Sequence, residues 1–202
     1  RFVNALLYAD DLVLIAASES DLQAMLDIVH TWCMQWRIKV NCAKSNAVHY
    51  RKPSVPRSDY TFKIGNTAIQ TVAHYKYLGI VIDEFLNFTV TSGILASAAG
   101  RALGAIFSKH KQLGGVGYNA YRAMYNACVA PILDYASSIW GFGAHDKIDT
   151  VQNRAIRLFL GVHGYAANAA INGDIGWTSC RVRRKVEMLR MWNRLQQDTM
   201  VC

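Results

Sequence analysis

The chain has 202 residues, 52% hydrophobic and 18% charged, which excludes disorder and suits one domain or two small ones. A net charge of +8 and a pI near 9.4 favour a polyanionic partner, nucleic acid ahead of an anionic membrane. Five widely spaced cysteines, odd in number and without a CxxC, argue against a disulfide framework or a zinc knuckle and for a reducing compartment.

Residues 5–17, ALLYADDLVLIAA, place the carboxylates of Asp10 and Asp11 between two apolar runs. Leu6, Leu7 and Tyr8 before the pair and Leu12–Ile15 after it read as two buried strands joined by a tight turn. Like charges that close are costly unless they share a proton or a cation. A solvated Asp-Asp turn is the plain alternative, but such apolar flanks are unusual for one, so a divalent-metal site is a candidate. The two aspartates and the absence of a basic leader argue against a signal peptide or a membrane span here. Arg1 opens almost inside a strand, and the expectation is a piece of a longer protein, cut upstream of the hairpin.

A helix is expected next over 20–36, with Ser20 and Gln23 at capping-box spacing. Leu22, Met25, Leu26, Val29, Cys33 and Trp36 form its stripe, and Trp32 and Trp36 are expected to anchor the core. Short strands are predicted over 37–40 and 47–51, then a polar connector over 51–59. A hairpin follows around Gly65-Asn66, and then one strand over 75–83 with Gly79 inside it, where glycine marks a bulge or a close backbone approach. Near residue 88 the composition turns helical. Helices are predicted over 94–113, from 119 toward Pro131, over 132–140, over 146–160 and over 180–197. Residues 161–176 are expected to be mostly loop. The stripe of the fourth of these helices is Ile148, Val151, Ala155, Leu158 and Phe159, with Gln152, Arg154 and Arg157 pointing elsewhere; that of the last is Val182, Val186, Leu189 and Trp192 or Asn193.

Tyr8-Ala9-Asp10-Asp11 within its apolar strands resembles the metal-binding hairpin of reverse transcriptases. The helix followed by Val40-Asn41-Cys42-Ala43-Lys44-Ser45 is similar to the helix-plus-lysine segment of their palms, with serine where threonine is frequent. Tyr75-Lys76-Tyr77-Leu78-Gly79 looks like their primer-grip strand. Downstream, Ala130-Pro131-Ile132-Leu133-Asp134-Tyr135, Trp140-Gly141, Val151-Gln152-Asn153-Arg154-Ala155, Arg157 and Gly173-Asp174-Ile175-Gly176-Trp177 resemble the thumb and following region of non-LTR retrotransposon (LINE-type) polymerases.

The resemblance implies an α+β fold in which an antiparallel palm β-hairpin and helix precede an all-helical thumb, as part of a right-hand polymerase. The palm part would be 1–88 and the thumb with its basic continuation 89–202. It implies an RNA-directed DNA polymerase performing two-metal nucleotidyl transfer to a primer 3′ end with Mg²⁺, or Mn²⁺. By that match Asp10 and Asp11 are catalytic metal ligands and Lys44 faces the incoming triphosphate. Tyr77, Leu78, Gly79, Arg122, Arg154 and Arg157 lie along the primer–template. The partners implied are an RNA template, a DNA primer and deoxynucleoside triphosphates, without a membrane, in the cytoplasm and nucleus as an element ribonucleoprotein. Lys109, His110, Lys111 and the run Arg181, Arg183, Arg184, Lys185 are further candidates for phosphate, against ordinary surface solvation. Fingers and a third metal carboxylate are expected upstream, so the isolated chain is expected to be inactive. The alternatives are a non-catalytic nucleic-acid-binding remnant of an element and, more weakly, a basic peripheral membrane protein.

Overall fold

Tyr8 and Asp11 face each other across a two-residue reversal that closes β1 (Ala5–Tyr8) on β2 (Asp11–Leu14) in antiparallel register. Ala9 turns the chain with φ +53°, a left-handed value that a side chain adopts only at a cost. A computed structural model describes residues 3–199, and the chain divides into two compact units, Arg1–Asn87 and Phe88–Cys202.

In the first unit the hairpin is exposed rather than buried: Leu7 is 76% accessible, and Leu6, Tyr8 and Leu12 are open as well. Among the described residues β1 and β2 pair only with each other, so neither edge of the hairpin carries a third strand. Leu14 at the end of β2 does reach the core. Helix α1 (Glu19–Gln35) starts at Ser18, not Ser20, because the Ser18 hydroxyl accepts from the Asp21 amide at 3.1 Å. Leu26 and Cys33 are its buried residues, whereas Trp32 and Trp36 are exposed with their rings 6.2 Å apart. Their expected core role fails because Ile28, Trp32, Met34 and Trp36 fall outside the stripe that contains Leu26 and Cys33.

Strand β3 (Asn46–Ala47) is all that forms around the lysine turn, and 37–40 is not a strand. Strands β4 (Lys63–Ile64) and β5 (Thr67–Ala68) close the expected hairpin on Gly65, with φ +57°, and β6 (Gln70–Thr71) pairs parallel with β3. A side chain at Gly65 would also strike the His30 ring, 2.7 Å from an added Cβ. The core of the unit is Leu26, Ala47, Phe62, Ile64 and Ile69. Gln23 fastens α1 to β4 by donating to the Lys63 carbonyl and accepting from its amide, each at 3.0 Å.

Residues 74–83 form a second hairpin, not one strand. β7 (His74–Tyr77) and β8 (Ile80–Asp83) are antiparallel partners, and Leu78 (φ +45°) and Gly79 (φ +84°) make the reversal. Positive φ at both positions matches the twist of a two-residue hairpin, and that is what the glycine serves. Glu84 follows, buried and held by Arg57 (2.9 Å) and Arg51 (3.2 Å), which ties the polar connector to the end of β8.

In the second unit α2 (Thr89–Gln112) packs its Leu95, Ala99, Leu103 and Ile106 face on α3 (Tyr118–Cys128), α4 (Ala130–Leu133) and, further on, α6 (Asp146–Leu160). By length and composition α2 is apolar enough to cross a membrane, but that face is occupied by its neighbours. Between α4 and α6 lies the short α5 (Ser137–Trp140); a side chain at Gly141 after it would come within 2.4 Å of the Ser137 carbonyl. Ile148, Val151, Gln152, Ala155 and Ile156 are the buried face of α6, so Gln152 points inward, contrary to expectation. Residues 161–176 contain α7 (Asn168–Ile175), which buries Ile171 and Ile175 against Ile156; a helix that short leaves a weak periodic signal among its alanines and glycines.

The last helix, α8 (Cys180–Thr199), is oriented differently from its apolar pattern. Cys180 and Arg184 are buried, whereas Val182, Leu189 and Trp192 are open. Polar partners decide this: Arg183 donates to Asp134 at 2.6 Å and to Gln152 at 2.8 Å, and Arg184 donates to Asp149 at 3.4 Å.

Candidate active site and nucleic-acid face

Asp10 is the second residue of the β1–β2 reversal and Asp11 the first of β2; both are exposed. Adjacent in sequence at a hairpin tip, they offer hard carboxylate oxygens suited to Mg²⁺ or Mn²⁺ in kind. In number the set is incomplete, since no group of three His, Cys, Asp or Glu side chains converges among the described residues.

Lys44 sits in the exposed turn after α1, and its backbone carbonyl accepts from the Tyr75 hydroxyl at 3.2 Å. That bond joins the lysine turn to β7, and thus to Tyr77 and the Leu78-Gly79 reversal. No bond joins Lys44 to the aspartates among the described residues. Leu78 and Gly79 are solvent-exposed and Tyr77 is half-buried.

The basic residues sort into two groups. Thirteen of the 22 Lys and Arg and six of the 14 Asp and Glu lie from residue 88 onward, so that unit carries +7 and the first unit +1. Some of that charge is consumed internally. Arg183 is locked to Asp134; burial, the largest single influence, works against its charge, but the Asp134 hydrogen bond together with the nearby Cys180, Asp134 and Tyr125 outweighs it and the pKa is raised. Arg184 is 1% exposed, facing Asp149 and the Trp140 ring. Burial pushes the neighbouring Cys180 thiol up to about 11, and Tyr125 is pushed up too, so both are neutral hydrogen-bonding groups at pH 7. His110 accepts from the Val116 amide at 3.1 Å and packs on Phe107, Tyr121 and Phe159. Arg183, Arg184 and His110 therefore act inside the fold, and their expected phosphate role is withdrawn.

Arg157 is half-buried and donates to the Ala166 carbonyl (2.7 Å) and Asn168 Oδ1 (2.6 Å), bracing the loop between α6 and α7. Arg122 is exposed on α3. Arg154 is exposed on α6 and, with Arg101 and Lys147, lines an open groove of about 1100 Å³ between α2 and α6. Gly93, Ser97 and Gly100 keep the α2 wall low. Sequence reasoning missed Arg101 and Lys147: Arg101 stands alone among small apolar residues and Lys147 is flanked by Asp146 and Asp149, and only the α2–α6 packing brings them beside Arg154.

Residues 2–82 match the family model described as reverse transcriptase (RNA-dependent DNA polymerase). Over 177 residues the chain is 26% identical to the probable RNA-directed DNA polymerase from transposon BS of Drosophila melanogaster, an alignment covering 83% of this chain and 20% of that protein. It is 27% identical over 183 residues to the RNA-directed DNA polymerase from mobile element jockey of the same species, covering 83% and 19%. Residues 2–82 are thus similar to reverse transcriptases, and the chain as a whole to the polymerases of these two mobile elements. It spans about a fifth of the length of those relatives. No solved structure matches it. The family match runs from the aspartate hairpin through β8, and the relatives' similarity continues into the helical unit.

Proposed function

We propose that this chain supplies the metal-binding hairpin of the palm, and the helical thumb, of a polymerase that copies an RNA template onto a DNA primer. The observation that carries the reading is the hairpin itself: two adjacent exposed carboxylates at a two-residue reversal, in the segment matched to reverse transcriptases. The names of the relatives, RNA-directed DNA polymerases of mobile elements, support it.

Asp10 and Asp11 are the proposed ligands of Mg²⁺, or Mn²⁺. Divalent ions held there supply Lewis-acid activation of the primer 3′-hydroxyl and charge stabilisation at the leaving pyrophosphate. Lys44 offers a point charge to the triphosphate of the incoming deoxynucleotide. The Tyr77-Leu78-Gly79 reversal presents backbone, free of a Cβ at Gly79, to the primer strand. Arg101, Lys147, Arg154 and Arg122 neutralise template–primer phosphates, while Arg157 contributes by bracing its loop. Four unpaired thiols, Cys33, Cys42, Cys128 and Cys180, support a reducing setting, and the proposed location is the cytoplasm and nucleus with the element's RNA.

The 202-residue chain is expected to bind an RNA–DNA hybrid with affinity falling steeply as salt rises, and to extend no primer, since among the described residues no third carboxylate joins the metal set. Affinity flat between low and moderate salt would contradict the phosphate contacts. Robust extension by the isolated chain would contradict the two-ligand account. A second reading, a non-catalytic nucleic-acid-binding remnant, is favoured by the concentration of charge in the helical unit; it predicts the same binding but no effect of Asp10 or Asp11 in any longer polymerase.

A further inference from the structure

Between α6 and α7 the chain runs Gly161-Val162-His163-Gly164-Tyr165-Ala166-Ala167, and Tyr165 is 93% exposed, the most open large hydrophobic side chain among the described residues. An aromatic ring that open is usually a loop tip with no fixed conformation. Here the loop is fixed. The Val162 amide donates to the Arg157 carbonyl at 3.2 Å, and the Ala166 amide to the His163 carbonyl at 3.0 Å. Arg157 holds the Ala166 carbonyl and Asn168 from below. The Tyr165 amide donates to His163 Nδ1 at 3.3 Å, and the two rings stack with centroids 4.8 Å apart at 26°.

The arrangement is a two-ring stack on the surface, with His163 exposed as well and most of the Tyr165 ring turned to water. A fixed cation, Arg157, sits beneath the residue that follows Tyr165, on a unit of net charge +7. A flat π-surface already ordered, with positive charge beside it, fits a flat π-system that carries its own negative charge. We infer that Tyr165, backed by His163, stacks an unpaired nucleobase of a single-stranded segment, with the adjoining phosphate near Arg157. Bases inside a duplex have both faces covered, so the platform selects single strands. Template RNA and displaced or overhanging DNA present the same chemistry. The inference rests on the nucleic-acid reading above but names a contact which that reading does not require.

The test uses the 202-residue chain and its Tyr165→Ala and Tyr165→Phe variants, with fluorescence anisotropy on a single-stranded RNA, a DNA of the same sequence and a blunt RNA–DNA duplex. Tyr165→Ala is expected to weaken single-strand binding by about ten-fold, Tyr165→Phe to retain it, and both to leave duplex binding unchanged. Loss on RNA alone assigns the base to the RNA strand; equal loss on both assigns it to any single strand. An iodouridine-bearing strand should photocrosslink to Tyr165. The inference is overturned if Tyr165→Ala binds single strands as wild type does, or loses duplex binding equally. It also falls if the wild-type chain binds no single strand. Duplex binding that persists in that case leaves the function proposed above standing, whereas loss of all nucleic-acid binding defeats that function's phosphate contacts as well.

Discussion

Arg183 on α8 donates to Asp134 at 2.6 Å, across 49 positions of sequence, and so a residue from the most basic run of the chain serves as an internal strut. Both groups are about four-fifths buried. Removing one leaves the other without its partner in a poorly solvated place. Arg183→Ala should lower stability by roughly 2 kcal/mol, below the roughly 3–5 kcal/mol of fully buried pairs because some solvent screening remains. Urea unfolding of the 202-residue chain measures this; an unchanged midpoint would show the pair to be decorative.

The groove cations should behave in the opposite way. Arg154→Ala, Arg101→Ala and Lys147→Ala remove exposed or groove-lining charges whose proposed partner is phosphate. Each should reduce the slope of log affinity against log salt on a duplex by about 0.9 while barely moving the unfolding midpoint. A substitution that unfolds the chain without changing the slope would return that residue to the structural group.

Glu84 gives a pH-dependent prediction. The Arg57 hydrogen bond, aided by Arg51 and opposed by burial, holds its carboxyl below the usual glutamate value. A depressed carboxylate stabilises the fold fully above its unfolded pKa, about 4.3, and that contribution is lost as pH falls through the folded value. Wild type should therefore lose stability below about pH 5 more steeply than Glu84→Gln, which should be less stable at pH 7. Parallel stability–pH curves would count against the clamp.

The second hairpin predicts a split between neighbours. Gly79 at φ +84° tolerates no Cβ without strain, so Gly79→Ala should destabilise by about 1 kcal/mol. Leu78 already bears that strain at φ +45°, and Leu78→Asn should be neutral or stabilising. Thermal unfolding of the two variants distinguishes this reversal from the single bulged strand suggested by sequence, which has no reason to favour asparagine at 78.

Local signals made much of the fold legible. Gly65-Asn66 announced its hairpin and α6 has the bounds 146–160 read from its period, while the reversal expected at Asp10-Asp11 forms one residue earlier, at Ala9-Asp10, with Asp11 already in β2. Failures came where long-range partners overrode local pattern. An apolar stripe on α8 lost the inside to Arg183 and Arg184 because Asp134, Asp149 and Gln152 wait there. Trp32 and Trp36 carry apolar surface but stay 51% and 63% exposed, with their rings against each other. At the site, adjacent residues such as Asp10 and Asp11 were readable, whereas the Arg101, Lys147 and Arg154 wall exists only after two helices meet.

The account depends most on the two hairpin carboxylates. Single-nucleotide primer extension, on an RNA template with Mg²⁺, in a full-length reverse transcriptase carrying these residues, measures their role directly. Asp10→Asn and Asp11→Asn should each abolish extension while template–primer affinity stays at the wild-type level. Extension near the wild-type rate in either variant would contradict the assignment.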